Sequence, residues 1–181
     1  MHPLRRFLLT ALLAAIPAGH LAAQAASPVT VFVVRHAEKG PGSPDPSLTK
    51  EGKERARALE RALADAGITA IFTSEFKRTQ ETAAPLAAKL NLQPTVLDAR
   101  KPDDLVRRIS ALPSGSKALV VTHSNLVPLI VEKLSGQKVS DLTDADYDRL
   151  YVVTSGGSGS GSVLYLHYGE ASTGSGPPMR P

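Results

Sequence analysis

The sequence contains no cysteine and no tryptophan, and aromatic residues make up only 4% of it. Without cysteine the chain can form no disulfide, and a lipid-modified N-terminal cysteine is excluded. Its 181 residues are 42% hydrophobic and 21% charged, which fits one globular domain with an ordinary core. Because aromatics are scarce, that core has to be built from Ala, Val, Leu and Ile.

No apolar run is long enough to span a bilayer as a helix. The longest N-terminal run, residues 7–16, follows Arg5 and Arg6 and precedes a small-x-small pattern ending at Ala25. This is the layout of a secretory signal peptide. We therefore predict a signal peptide over 1–25 with cleavage after Ala25, and a periplasmic or secreted protein without stable membrane insertion after cleavage.

Basic residues exceed acidic residues only slightly, at 21 Lys and Arg against 17 Asp and Glu. The formal net charge is +4, and loss of Arg5 and Arg6 with the predicted signal peptide lowers it by 2 to +2. So small an excess argues against a nucleic-acid partner.

The rest of the chain alternates between strand and helix patterns. We predict strands at 29–34, 68–73, 94–98 and 117–122, and helices at 50–66, 75–90, 103–112 and 125–134. Thr49 and Asn125 are candidate helix caps, and Pro85 should kink or split its helix. This alternation predicts an α/β fold, a three-layer sandwich with a mainly parallel central sheet flanked by helices.

The pattern changes after residue 136. Two further strands, at 147–154 and 162–168, flank a Ser/Gly-rich linker and should pair as a hairpin or as neighbours. We predict one domain over 26–169, followed by a disordered tail over 170–181.

Residues able to do chemistry follow three of the predicted strands. Arg35 and His36 follow the first strand, Arg78 lies just after the second, and His123 follows the fourth. Ligands of parallel α/β sheets bind beyond the carboxyl ends of the strands. Each residue alone could be an ordinary surface or structural group, but their joint position predicts a shared site.

Three segments carrying these residues resemble known signatures. VVRHAEKG, SEFKRTQETA and VVTHSNLVP are similar, in this order, to the signatures of the histidine phosphatase superfamily, also called phosphoglycerate mutase-like. The resemblance covers about residues 29–168 and points to the small, single-domain branch.

The resemblance implies a phosphatase that acts on a small-molecule phosphomonoester. His36 would be the nucleophile and would form a phosphohistidine, while Arg35, Arg78 and His123 would bind the phosphoryl oxygens. Arginine suits this role because its fork matches phosphate oxygens, and nearby cations should lower the pKa of His36. We expect no metal and no cofactor.

The general acid that would protonate the leaving group is left open. Asp98, at the end of the third strand, is the first choice. Asp103 and Asp104 could serve instead or cap the following helix, and Glu38 is another candidate.

Other functions compete with this hypothesis. Small family members also act as protein phosphohistidine phosphatases, although the signal peptide argues against it. A mutase is disfavoured because it needs a retained phosphorylated intermediate. A non-catalytic phosphate or polyanion-binding module could use the same fold. A metal site at His36 and His123 is disfavoured because the two arginines would repel a cation. The natural substrate and the oligomeric state are not predicted.

Overall fold

The computed structural model describes residues 27–155 and 161–173. The predicted signal peptide, most of the Ser/Gly-rich linker and residues 174–181 lie outside these ranges. Ten elements follow in chain order: β1 (Thr30–Arg35), α1 (Lys50–Leu63), β2 (Ala70–Ser74), α2 (Lys77–Leu90), β3 (Thr95–Leu97), α3 (Pro102–Ser110), β4 (Lys117–Thr122), α4 (Val127–Ser135), β5 (Arg149–Thr154) and β6 (Ser162–His167).

The strands form one six-stranded sheet in the order β3-β2-β4-β1-β5-β6. Pairing is parallel from β3 to β1, and β5 and β6 join as antiparallel strands. The predicted α/β class and mainly parallel sheet are confirmed, and the last two strands pair with each other as predicted.

Helices cover both faces of the sheet, which gives the predicted three layers. Successive side chains of a strand point to opposite faces, so Val33 packs in the cluster with residues of α3 and α4, and Val34 with residues of α1 and α2. These valines and most other residues of β1 and β4 are buried, as expected for central parallel strands. The core is built almost entirely from aliphatic side chains.

The start of α1 follows the predicted capping chemistry. Thr49 is the N-cap, and its hydroxyl accepts a hydrogen bond from the backbone N–H of Gly52 at 3.1 Å. Gly52 is required by close packing, because a Cβ there would lie 2.2 Å from the carbonyl oxygen of Glu38. The loop after β1 therefore rests directly on the first turn of α1.

Three local predictions need correction. Of the two outcomes predicted for Pro85, a split helix is wrong, since α2 runs through it from Lys77 to Leu90. Asn125 does not cap α4, which begins two residues later with Pro128 in its first turn. Asp103 and Asp104 lie in the first turn of α3 without capping it, because the helix begins at Pro102 after an N-cap whose side chain makes no capping bond.

The chain after β6 is partly fixed in place. Glu170 and Ser172, which fall in the predicted tail, hydrogen bond to the domain through a carbonyl oxygen and a hydroxyl. Within 27–155 and 161–173, no helix is long and apolar enough to cross a membrane.

Candidate active site

The candidate site lies where the central parallel strands end. Arg35 ends β1 in register with Thr122 at the end of β4, and the backbone N–H of His36 donates to the Thr122 carbonyl at 2.8 Å. This register puts His36 beside His123, with ring centres 5.5 Å apart. Two segments far apart along the chain thus deliver neighbouring imidazoles.

His36 is buried, with 3% of its surface exposed. Its Nδ1 lies 2.8 Å from the carbonyl oxygen of Ala37. A carbonyl can only accept, so Nδ1 carries the proton of the neutral ring and Nε2 holds a free lone pair. The Ala37 N–H donates to the Thr82 hydroxyl of α2 at 2.9 Å, which fixes this turn.

The pKa of His36 is lowered to about 3. Burial is the largest cause, and the nearby charges of Arg35, His123 and Arg78 act in the same direction, while the Ala37 carbonyl opposes them. The direction agrees with our prediction, which named only the nearby cations, and burial contributes more than they do. His36 is therefore neutral at physiological pH.

His123 is held by two neighbours at this edge. Its Nε2 lies 3.0 Å from the Ser74 hydroxyl at the end of β2, and Arg78 Nη2 lies 3.5 Å from its Nδ1. Burial, followed by the Arg78 charge, lowers the pKa of His123 to about 4. Both imidazoles are therefore neutral, and their hydrogen bonds go to a carbonyl and a hydroxyl rather than to a carboxylate of the described chain.

Arg35 is a buried cation, 4% exposed, held mainly by neutral acceptors. Its Nη1 donates to the carbonyl oxygens of Thr143, Asp144 and Asp146 at 2.9–3.1 Å. Its guanidinium carbon lies 4.1 Å from the ring centre of Tyr147. The carboxylate of Asp144 is 3.9 Å away and fully exposed, so it compensates the buried charge weakly.

Arg78 projects from the first turn of α2, where a cation opposes the helix dipole. Its guanidinium stacks on Phe76 at 4.3 Å, and Nη1 lies 3.8 Å from Asp45 Oδ1. The same Asp45 oxygen accepts the backbone N–H of Lys77 at 2.9 Å. The Nε atoms of Arg35 and Arg78 are buried without a hydrogen-bond partner among the described residues.

The carboxylates predicted as general acids are engaged elsewhere. Asp98 binds Arg100, which lowers its pKa to about 2. Glu38 is paired with Arg55 at 2.7 Å, and Asp103 with Lys133 at 2.8 Å. Asp104 pairs with Arg107 on its own helix. The acid role of each stays a prediction, and in this structure each is bound to a cation.

Three residues of this site were missed in the sequence. Ser74 ends a strand and could have been found by the same strand-end argument. Asp45 lies in a Pro/Gly-rich loop that carries no pattern, and Tyr147 precedes an antiparallel strand. Neither position points to a site until the fold brings it beside Arg78 or Arg35.

The four predicted residues therefore meet in one place. Two arginines with spare N–H donors face two neutral imidazoles, an arrangement suited to binding an oxyanion and attacking its central atom. A cavity of about 890 Å³ lies beside this edge, since Glu38 and Tyr147 line it but neither histidine does. Across the described ranges, no cluster of three or more His, Cys, Asp or Glu side chains is suited to hold a metal ion.

A family model matches the part of the chain that carries two of the three signatures. Residues 31–101 match the histidine phosphatase superfamily, branch 1. A curated relative, the PE-PGRS family protein PE_PGRS11 of Mycobacterium tuberculosis, is 42% identical over 79 residues, 38% of this chain and 13% of the relative. The chain thus spans a small part of that protein's length.

Solved structures share the fold over most of the chain. The protein histidine phosphatase SixA in complex with tungstate is 22% identical at a TM-score of 0.62, covering 76% of this chain and 96% of SixA. A mycobacterial glucosyl-3-phosphoglycerate phosphatase in complex with VO3 is 13% identical at 0.61, covering 75% and 96%. YhfR of Bacillus stearothermophilus is 18% identical at 0.60, covering 75% and 95%. These likenesses are of fold, and they agree with the family match.

Proposed function

The chain belongs to the histidine phosphatase superfamily, and on that premise we propose that it is an exported phosphatase. It hydrolyses a phosphate monoester through a phosphohistidine on His36 and needs no metal. One observation carries the proposal: a neutral imidazole with a free Nε2 lies among guanidinium groups that have spare donors.

The reaction follows from the state of each group. The Nε2 lone pair of His36 forms a bond to phosphorus while the bond from phosphorus to the ester oxygen breaks, and the leaving oxygen takes a proton from the general acid. Water then attacks phosphorus and gives a proton back to the conjugate base of that acid, the P–N bond breaks, and Nε2 recovers its lone pair. Arg35, Arg78 and His123 stabilise the charge on the phosphoryl oxygens throughout.

Export is supported by the sequence of residues 1–25, with its two arginines, short apolar run and small-x-small site. A phosphatase placed outside the cytoplasm would act on phosphate esters of the periplasm or the medium.

A second candidate, a protein phosphohistidine phosphatase, is favoured by one feature of the site. The carboxylates proposed as acids are bound to cations. A phosphohistidine releases an imidazole, which leaves without the strong proton donor that an alkoxide requires. SixA, which shares this fold, is a protein histidine phosphatase.

The test is hydrolysis of 4-nitrophenyl phosphate by the purified protein in EDTA. A nitrophenolate leaves without an acid, so turnover of this substrate does not depend on which carboxylate is the general acid. We expect turnover in EDTA, and a fall of roughly 10³-fold or more in kcat for His36→Asn.

His167→Asn is the matched control, because His167 lies on β6 and bonds to Asp148. Its kcat should equal that of the wild type. No turnover of this ester or of a phosphohistidine peptide, together with retained phosphate binding, would favour a binding module instead. Loss of activity in EDTA would contradict metal-free catalysis.

A further inference from the structure

We propose that Arg55 is a positioning residue that sets the place of His36, an inference that rests on the proposed function. Arg55 lies on α1 and is 7% exposed. It joins three parts of the chain that have no sequence proximity: the loop after β1, helix α1 and the segment after β6.

The guanidinium of Arg55 is almost fully used. Its Nε donates to both carboxylate oxygens of Glu38, at 2.8 and 3.0 Å, and Nη2 lies 2.7 Å from Oε1. Its Nη1 donates to the carbonyl oxygens of Tyr168 and Glu170 at 3.2 and 2.8 Å. A buried cation with this many bonds of fixed direction holds its partners in one geometry, and we call this set of bonds the Arg55 clamp.

On one side, the Arg55 clamp holds the segment that carries the nucleophile. Glu38 is two residues from His36, and its own carbonyl accepts the backbone N–H of Thr49 at 2.9 Å. Gly52 packs against the same peptide. The Glu38 side chain and backbone are therefore both fastened to α1, which limits the positions open to the His36 turn.

On the other side, the Arg55 clamp reaches Arg35. Beyond Glu170, the Ser172 hydroxyl accepts the backbone N–H groups of Tyr147 and Asp148 at 2.9 and 3.0 Å. The Tyr147 ring stacks on Arg35 and lies 6.3 Å from His36. One buried guanidinium thus connects the supports of both members of the Arg35-His36 pair.

The consequence for catalysis is geometric. Attack on phosphorus depends on the placement of Nε2, and a shift of about 1 Å can lower a rate by about 10²-fold. The groups proposed to bind the oxyanion have supports of their own: Arg78 lies on α2, His123 follows β4, and Arg35 keeps its bonds to the carbonyl oxygens that precede β5. Loosening the Arg55 clamp should therefore lower kcat far more than it weakens oxyanion binding.

Arg55→Lys tests this in the purified full chain. Lysine keeps the charge, but the three donors on its single nitrogen cannot reproduce the contacts that Arg55 makes through three separate nitrogens. We expect kcat for 4-nitrophenyl phosphate to fall about 10- to 100-fold, with the Ki for tungstate within about threefold of wild type. Assays run well below the Tm of each variant, with folding checked by circular dichroism.

Arg57→Lys is the matched control. Arg57 is an exposed arginine on the same helix. The proposal is wrong if the folded Arg55→Lys variant has the same kcat as Arg57→Lys. It is also wrong if Arg55→Lys loses tungstate affinity and no kcat, because Arg55 then has only a structural role.

A second readout does not depend on activity. The imidazole ¹⁵N resonances of His36, assigned by loss in His36→Asn, should shift in Arg55→Lys and stay in place in Arg57→Lys. If the wild type is inactive but the His36 resonances shift in Arg55→Lys, the proposed phosphatase activity is wrong and the positioning role of Arg55 is supported. Unchanged resonances would overturn the Arg55 clamp even in an active enzyme.

Discussion

The two halves of the sheet use charged residues in opposite ways. At the end of the parallel half, His36 and His123 bond to a carbonyl and a hydroxyl, and the cations near them are arginines. In the antiparallel half, His167 lies 2.9 Å from Asp148, and Arg149 lies 3.0 Å from Asp146. Histidine and arginine are therefore paired with a carboxylate at 2.9–3.0 Å in the antiparallel half. At the end of the parallel strands, the carboxylates nearest to Arg35 and Arg78 are 3.8–3.9 Å away.

The difference follows from topology. Carboxyl ends of parallel strands meet at one edge, where loops leave in different directions and backbone groups are left to bind a ligand. Asp146 and Asp148 come just before β5, so their carboxylates lie beside Arg149 on the same segment and His167 on the paired strand β6. At the end of the parallel strands, burial without a carboxylate partner lowers the pKa of His36 and His123 and keeps both rings neutral.

The largest effect should come from removing a cation at the parallel end. Arg78→Met removes the guanidinium, which lies over Phe76, and leaves an unbranched side chain without charge. We expect kcat/KM for 4-nitrophenyl phosphate to fall roughly 10²- to 10³-fold, because the transition-state charge loses a donor. Arg61→Met, at an exposed site on α1, is the control and should change kcat/KM by less than about twofold. Equal effects of the two variants would contradict the comparison.

An intermediate effect concerns stability and pH. The folded pKa of His36, about 3, lies below its unfolded value near 6.5, so the unfolded chain binds more protons between these values. The free energy of unfolding should therefore fall as pH drops below about 6.5, by on the order of 2 kcal/mol from His36 between about pH 6.5 and 4.5.

Urea unfolding at several pH values measures this slope. His36→Asn should flatten it, since the buried imidazole that resists protonation is gone. If the variant and the wild type lose stability in parallel, burial does not depress the pKa of His36 as inferred.

The smallest effect should come from Asp45, whose carboxylate lies near the carboxyl ends of the parallel strands. Asp45 lies 3.8 Å from Arg78 and therefore competes weakly with a bound oxyanion. Asp45→Asn keeps an oxygen for the Lys77 N–H and removes the charge. We expect the Ki for tungstate to decrease about threefold to tenfold, measured by competition in the aryl phosphate assay.

Asp65→Asn serves as the control, because it removes one negative charge from an exposed position just after α1. Weaker tungstate binding in Asp45→Asn than in this control would mean that Asp45 supports the site by holding Arg78.

The fold was largely predictable because hydrophobic period and turn residues are local. Continuous apolar runs such as KALVVT marked central strands, and Thr49 marked the start of α1. Pro85 and Asn125 misled us, since packing of α2 tolerates a proline that local geometry disfavours, and α4 begins without the predicted cap. At these two positions the tertiary structure overrides the local preference.

For the candidate site, the positions of the residues were predictable from the sequence and their chemical states were not. Arg35, His36, Arg78 and His123 were predictable, because each follows a strand and the ends of parallel strands converge whatever the details of packing. Their chemical states were not. The neutral tautomer of His36 depends on a carbonyl 2.8 Å away, and the low pKa depends mainly on burial.

Which carboxylate meets which cation also required the folded chain. The sequence made Asp98 the first choice of acid and Glu38 an alternative, but it did not show which cation each of them would meet. Folding joins Glu38 to Arg55, Asp45 to the start of α2 and Asp98 to Arg100. Residue order along the chain therefore established which groups reach the strand ends, while packing in three dimensions established which of them are charged, paired or free to react.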